Sequence, residues 1–288
     1  MALAEIVLVH ASVQRDRPDI TRSSRGFTRF ELVVVLATLA SLAAVTRPIW
    51  GNGAPPRSLV CMDNLRRLTA AWSLYAEDSA GKFPGNYHGG FVPGATANQR
   101  PWATGWLDWS SSPDNTNTLY LTEGRYAAIG PLLGPDVTGF KCPSDNYLAV
   151  LQVSRGWTER VRSYAMNCYV GEGNQETGPF DRSYPVAKRR SDFRSLTPQQ
   201  TFVFTEEHPD SVNDPLLFVN MSQWVWTDLP GSFHDGAGWF SFADGHVEPR
   251  TWGRRTTTRQ VIYQPANQSP AIQNDQDLLW LRARTTAR

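Results

Sequence analysis

The sequence predicts an α+β protein in which helices come first and a decorated antiparallel sheet follows. Three observations carry that reading. Leu32 to Val45 is an almost unbroken apolar run, Ser58 to Asp78 repeats its apolar residues at three- and four-residue steps, and the remainder alternates turn formers with short aromatic runs. With 288 residues, 41% of them hydrophobic, the chain can fill one large or two small domains. Its 11 Trp, 22 Gly and 20 Pro fit short strands set in long loops. A net charge of +1 with no basic stripe excludes a nucleic-acid partner held by phosphate neutralisation.

Residues 1–26 read as a leader, in which Arg15, Arg17, Arg22 and Arg25 precede Gly26. Residues 27–47 then read as a membrane-anchoring helix, stopped by Thr46-Arg47-Pro48. Glu31 lies one turn inside that segment. A charge in hydrocarbon costs at least ~2.5 kcal/mol unless it finds a partner, so this acid requires one. The apolar residues beyond it fall short of the ~20 that span a bilayer comfortably.

Gly51-Asn52-Gly53-Ala54-Pro55-Pro56 breaks the helix. Residues 58–80 form an amphipathic helix that packs on the sheet: Val60, Leu65, Leu68, Ala71, Trp72 and Tyr75 share a stripe, with Arg66, Arg67, Glu77 and Asp78 off it. Gly81 suits the left-handed position after the last turn. Residues 81–288 are then a β-rich globular domain. Trp102, Trp106 and Trp109, interleaved with Asp108, are expected to plug a thin core, with a ligand-stacking face as the alternative.

Thr201 to Thr205 reads as a strand, followed by the acidic stretch Glu206 to Asp214. Asp210, Asn213 and Asp214 offer the oxygen ligands that Ca²⁺ takes, although the spacing is not that of an EF-hand; a solvated, self-capping turn is the other reading. Residues 234–252 read as a hairpin. Trp239 to Phe242 and His246 to Trp252 are its strands, Asp244-Gly245 is a two-residue turn, and Asp235 to Gly238 makes the turn before it. His234 at the strand end is expected to bond turn backbone or Asp244; the sharper alternative makes His234 and Asp244 metal ligands or an acid/base pair. A helix over 274–284, capped by Asn274 or Asp275, is expected to dock on the sheet. Of the cysteines, Cys61 and Cys142 could pair if the helix packs beside the second, leaving Cys168 as the odd thiol.

The stretch Arg25-Gly26-Phe27-Thr28-Arg29-Phe30-Glu31-Leu32, with the apolar run behind it, resembles the class III signal of type IV prepilins and type II secretion pseudopilins. That resemblance implies a prepilin peptidase that cuts between Gly26 and Phe27 and methylates Phe27. It also implies that Glu31, as the fifth mature residue, pairs with the terminal amine of a neighbouring subunit, a head-to-tail contact that builds a filament. Arg29 departs from the pattern, standing where the family has an aliphatic residue.

Further landmarks look like those of prepilin-like proteins with an H-X9-DG domain: Cys61-Met62-Asp63-Asn64-Leu65, Phe140-Lys141-Cys142-Pro143-Ser144-Asp145, Ser163-Tyr164-Ala165-Met166-Asn167, and His234 followed nine residues later by Asp244-Gly245. The resemblance implies a pilin-like fold, with one long N-terminal helix that is half membrane anchor and half amphipathic. It further implies a structural, non-enzymatic pseudopilin-like subunit that is single-pass in the bacterial inner membrane, its globular part in the periplasm or assembled on the cell surface. The partners implied are the prepilin peptidase, other pseudopilin subunits and the membrane. A membrane-anchored calcium- or glycan-binding module is the alternative. A hydrolase using His208 or His234 is a third reading, which needs a cleft with converging acids; no Gly-x-Ser-x-Gly, His-Glu-x-x-His or phosphate loop supports it.

Overall fold

The computed structural model describes residues 28–45, 56–94, 98–178, 180–194, 196–266 and 269–288. The chain divides after Gly53 into two units. In the first, helix α1 covers Arg29–Val45, 17 residues. It starts where it does because Thr28 and Glu31 cap each other. The Glu31 amide donates to the Thr28 hydroxyl at 3.2 Å, and Glu31 Oε2 accepts from the Thr28 amide at 2.8 Å, the reciprocal bonds of a capping box.

The expected membrane anchor over 27–47 is corrected here. At 1.5 Å per residue the 17 residues extend about 26 Å, short of a hydrocarbon core of ~30 Å, and Arg29 and Glu31 occupy the first turn. No helix among the described residues is long and apolar enough to cross a membrane. The expected single-pass placement in an inner membrane, and the transmembrane, membrane-held character that goes with it, are therefore not supported. The one long N-terminal helix is likewise absent: α1 belongs to the first unit and α2 to the second.

Helix α2, Arg57–Asp78, opens the second unit. Its buried residues Cys61, Asn64, Leu65, Leu68, Thr69, Trp72 and Ala76 recur every three or four positions, one face of a helix. The helix closes with a bond from the Gly81 amide to the Ala76 carbonyl at 2.7 Å. The left-handed turn takes in Ala80 (φ 52°) as well as Gly81 (φ 80°).

The main sheet has the strand order β3-β1-β2-β5-β6, from β1 Tyr164–Asn167, β2 Phe202–Glu206, β3 Leu216–Leu217, β5 Ala237–Phe242 and β6 Val247–Thr251. Strand β4, Val225–Trp226, pairs separately with β7, Ser269–Pro270. The sheet is mixed and not purely antiparallel as expected, because β3 runs parallel to β1 while the β1–β2, β2–β5 and β5–β6 pairs are antiparallel.

Both faces of the sheet are covered. On one, α2 packs with Trp102, Phe140, Tyr164, Met166, Val203 and Phe204. On the other lie Phe202, Phe240, Phe242, Trp252 and the residues Leu278 and Leu281 of a C-terminal helix, Gln276–Thr285. A bulge in β2 serves this arrangement. Phe202 pairs with Phe242 and Phe204 with Ser241, so Val203 is extra, and Phe202 and Phe204 can reach opposite cores. The C-terminal helix is capped by Asp275, whose carboxylate accepts from the Asp277 amide at 2.9 Å.

Candidate functional site

Where β2 ends, a polar cluster is sealed beneath α2. Glu206, the last residue of the strand, is fully buried. Its Oε1 lies 2.8 Å from His234 Nε2, and its Oε2 accepts from the Trp239 amide at 2.9 Å. The segment beside it cannot be pushed away, because the Gly231 amide donates to the Glu206 carbonyl at 2.7 Å. A methyl group on Gly231 would stand 2.8 Å from Glu206 Cβ.

His234 is delivered by a tight turn. Asp235 (φ 53°) and Gly236 (φ 79°) are both left-handed, the signature of the type I′ turn that suits strand twist. His234 and Ala237 exchange amide-to-carbonyl bonds of 3.1 and 3.0 Å across it. The Asp244-Gly245 connection, expected to be the two-residue turn, is a different one. Gly245 alone has positive φ (96°), and its amide donates to the Phe242 carbonyl at 2.9 Å, which makes a three-residue Ala243–Gly245 loop. Of the two Asp-Gly pairs in this stretch, the first makes the tight turn.

Cys61 from the second turn of α2 and Cys142 from the segment after a short 3-10 helix, Val137–Phe140, form a disulfide with Cα atoms 5.2 Å apart. Both are fully buried, and Cys142 Sγ lies 3.6 Å from His234 Nε2. One ligand atom each of Cys61, Cys142, Glu206 and His234 falls within 4.8 Å of the others. Burial drives the Glu206 carboxyl above its usual range, while the His234 and Trp239 bonds pull the other way.

Asp244 does not join His234. Its Oδ1 sits 2.6 Å from His246 Nδ1, and the His246 ring stacks on Phe242 at 4.2 Å, so this part of the motif closes the hairpin. Gly26 and Phe27 lie outside the described residues. Glu31 is exposed, and its bonds to Thr28 hold its carboxyl below the usual range.

The acidic stretch is buried, not solvated, and its oxygens tie three different loops. Asp210 accepts from the Ile262 and Gln264 amides at 2.8 and 3.3 Å. Asp214 accepts from the Gly89 and Leu216 amides at 2.7 and 3.0 Å. The Asn213 carbonyl accepts from Leu107 N at 2.8 Å and an Arg162 guanidinium nitrogen at 2.9 Å. His208 is bonded to backbone on both sides, to the Arg259 carbonyl at 3.1 Å and from the Asp210 amide at 3.2 Å. Trp102 is a core plug, fully buried and packed edge-on against Phe204 at 4.9 Å, whereas Trp106 and Trp109 line one surface depression with Arg160, whose guanidinium stands 4.1 Å over the Trp109 ring.

The residue that sequence reading missed is Glu206. In the sequence it reads as the first of the acids after the strand, whereas it is the strand's final residue. The available signal was its position immediately after Phe202-Val203-Phe204-Thr205, which makes an acid at that point a buried one. Comparison with protein-family models, curated proteins and solved structures finds no match to this chain, so no relative supports the pseudopilin or secretion assignment that the motifs suggest.

Proposed function

We propose that the chain is a structural subunit of a pilus-like filament, entering it after a prepilin-type peptidase cuts between Gly26 and Phe27. The observation that carries this reading is the apolar surface that α1 presents on all sides. Phe30 is 77% exposed, and Leu32, Val33, Leu36 and Leu39 are each more than half exposed. A helix this apolar in water loses about 25 cal/mol for each Å² it leaves uncovered, and a second copy of the same helix covers it with matching chemistry. A contact that also sets Glu31 of one copy against the Phe27 amine of the next joins different patches, and it propagates as a filament. Glu31 has a place in it: both Thr28 bonds fall on Oε2, so the other oxygen can take the amine that processing creates on a neighbouring Phe27.

Co-expression of the full chain with a prepilin peptidase, followed by intact-mass analysis and N-terminal sequencing, tests the proposal. The expected product begins at Phe27 and carries one added methyl. A product beginning at any other residue overturns the reading.

A further inference from the structure

We propose that the cluster beneath α2 is a redox-gated zinc site: when the Cys61–Cys142 disulfide is opened, Cys61 Sγ, Cys142 Sγ, His234 Nε2 and Glu206 Oε1 take up one Zn²⁺. This inference concerns only the second unit and does not rest on the assembly reading.

The donor set comes first. Two thiolates, one imidazole and one carboxylate are the ligand types of tetrahedral zinc. With metal–ligand bonds of about 2.0–2.3 Å, a tetrahedron places its ligand atoms roughly 3.3–3.8 Å apart. Cys142 Sγ and His234 Nε2 already stand at 3.6 Å, and all four atoms lie within 4.8 Å of one another. Among the described residues this is the cluster of three or more His, Cys, Asp and Glu side chains with that convergence.

The scaffold comes second. The ligands arrive on four separate segments, namely α2, the chain after the 3-10 turn, the end of β2 and the type I′ turn. Each is fixed by contacts other than the cluster itself. Glu206 Oε2 is held by the Trp239 amide at 2.9 Å, which orients Oε1 inward in the way outer-shell bonds orient metal ligands. The two cysteines and Glu206 are fully buried, so the ion would be shielded from water. A surface depression lined by Ser144, Tyr147, Ser232 and Phe233 takes in chain neighbours of Cys142 and His234.

The gate follows from electron counting. In the disulfide the two sulfurs share one bonding pair, and neither is a thiolate. A dithiol reductant transfers two electrons and two protons, the S–S bond breaks, two thiols form and the reductant leaves as its own disulfide. Zinc then binds as each thiol gives its proton to solvent, and neutral His234 binds through Nε2 with its proton on Nδ1. A disulfide oxidant reverses the sequence: it accepts the two electrons, takes two protons from solvent and leaves as a dithiol, while the Cys61–Cys142 bond re-forms and the ion is released. The disulfide and the zinc are thus alternative clasps joining α2 to the sheet.

The experiment uses the full chain, air-oxidised or reduced by a dithiol, titrated with ZnCl₂ alone and read by metal analysis after gel filtration. Co²⁺ replaces zinc in a parallel titration read by absorption, and circular dichroism monitors the fold. Reduced protein is expected to retain one equivalent of zinc and to show a thiolate-to-cobalt charge-transfer band, while oxidised protein retains none. His234→Ala and Glu206→Gln, both reduced, are expected to bind at least tenfold more weakly, and the Cys61→Ser/Cys142→Ser double variant to lose the band. Should reduction loosen the fold, zinc is expected to restore it. Equal zinc uptake by the oxidised chain overturns the proposal. So does undiminished binding in His234→Ala, or a reduced chain that neither binds zinc nor is refolded by it.

Discussion

A threonine three residues before Glu31 changes what that carboxylate needs. Read along the sequence, the acid stood alone in an apolar run and required a partner from another subunit. In the structure Thr28 supplies a local one through the reciprocal cap. The two roles separate by substitution, because glutamine keeps a capping box and alanine removes it. If Glu31 also pairs with a neighbour's amine, Glu31→Gln and Glu31→Ala both assemble poorly, as judged by sedimentation of filaments from cells carrying the peptidase. If only the cap matters, Glu31→Gln assembles normally and Glu31→Ala loses helix at the start of α1. A second residue-scale prediction comes from the end of α2. Ala80 holds φ 52°, a conformation that costs an L side chain about 1–2 kcal/mol. Ala80→Gly should therefore raise stability by about 1 kcal/mol in urea unfolding, less the entropy glycine adds to the unfolded chain. A loss of stability there would mean that the methyl group makes contacts worth more than the strain.

Among the elements, α2 was the most legible, because a helix with one buried face writes a period into the sequence that survives any tertiary setting. The strands were less so. With cores on both sides, β1 and β2 are buried at every position, so the alternation that marks a half-exposed strand is missing. Strand β3 is only Leu216–Leu217, too short to carry a pattern, and its parallel pairing with β1 depends on a long connection that no local signal reports. The candidate site was legible in its parts and not in its assembly: His234 and both cysteines drew notice, but their meeting with Glu206 depends on which Asp-Gly pair makes the tight turn. The disulfide joining α2 to the chain 81 residues later gives the element-scale prediction. Closing a loop of that length removes unfolded-state entropy worth about 4–5 kcal/mol in the chain-entropy account. Cys61→Ser/Cys142→Ser, measured without metal, should lose several kcal/mol in urea with a similar midpoint slope. A loss below about 1 kcal/mol would show that packing of Leu65, Leu68 and Trp72 alone fixes the helix.

For the whole molecule the governing feature is the number of acids taken out of water. Glu206, Glu207, Asp214 and Asp228 are all fully or almost fully buried, and burial drives each above its usual value, those of Glu207 and Asp228 well above. A carboxyl raised in the folded state holds its proton to higher pH than in the unfolded chain, so the fold binds more protons and loses stability as pH rises through the raised value. His208 works in the other direction. Burial lowers it from 6.5, so its contribution is complete above that pH and is lost as pH falls. Arg162, lowered to about 10 by burial, adds stability only as pH climbs past that value. Glu207 and Asp228 therefore pull stability down as pH rises above the ordinary carboxylate range, and the urea midpoint should fall with it, the loss being at most about 1.4 kcal/mol per pH unit for each group still titrating. Asp228→Asn gives the sharper test. Its amide oxygen can still accept from the Phe218 amide, now bonded to Asp228 Oδ2 at 2.6 Å, but it carries no charge at any pH. The variant should match the parent near pH 4, exceed it at pH 8.5, and show a shallower slope between. A parent midpoint that is flat or rising from pH 6.5 to 9 would mean that these acids are ionised inside the fold, compensated by the Arg160 and Arg162 guanidinium groups.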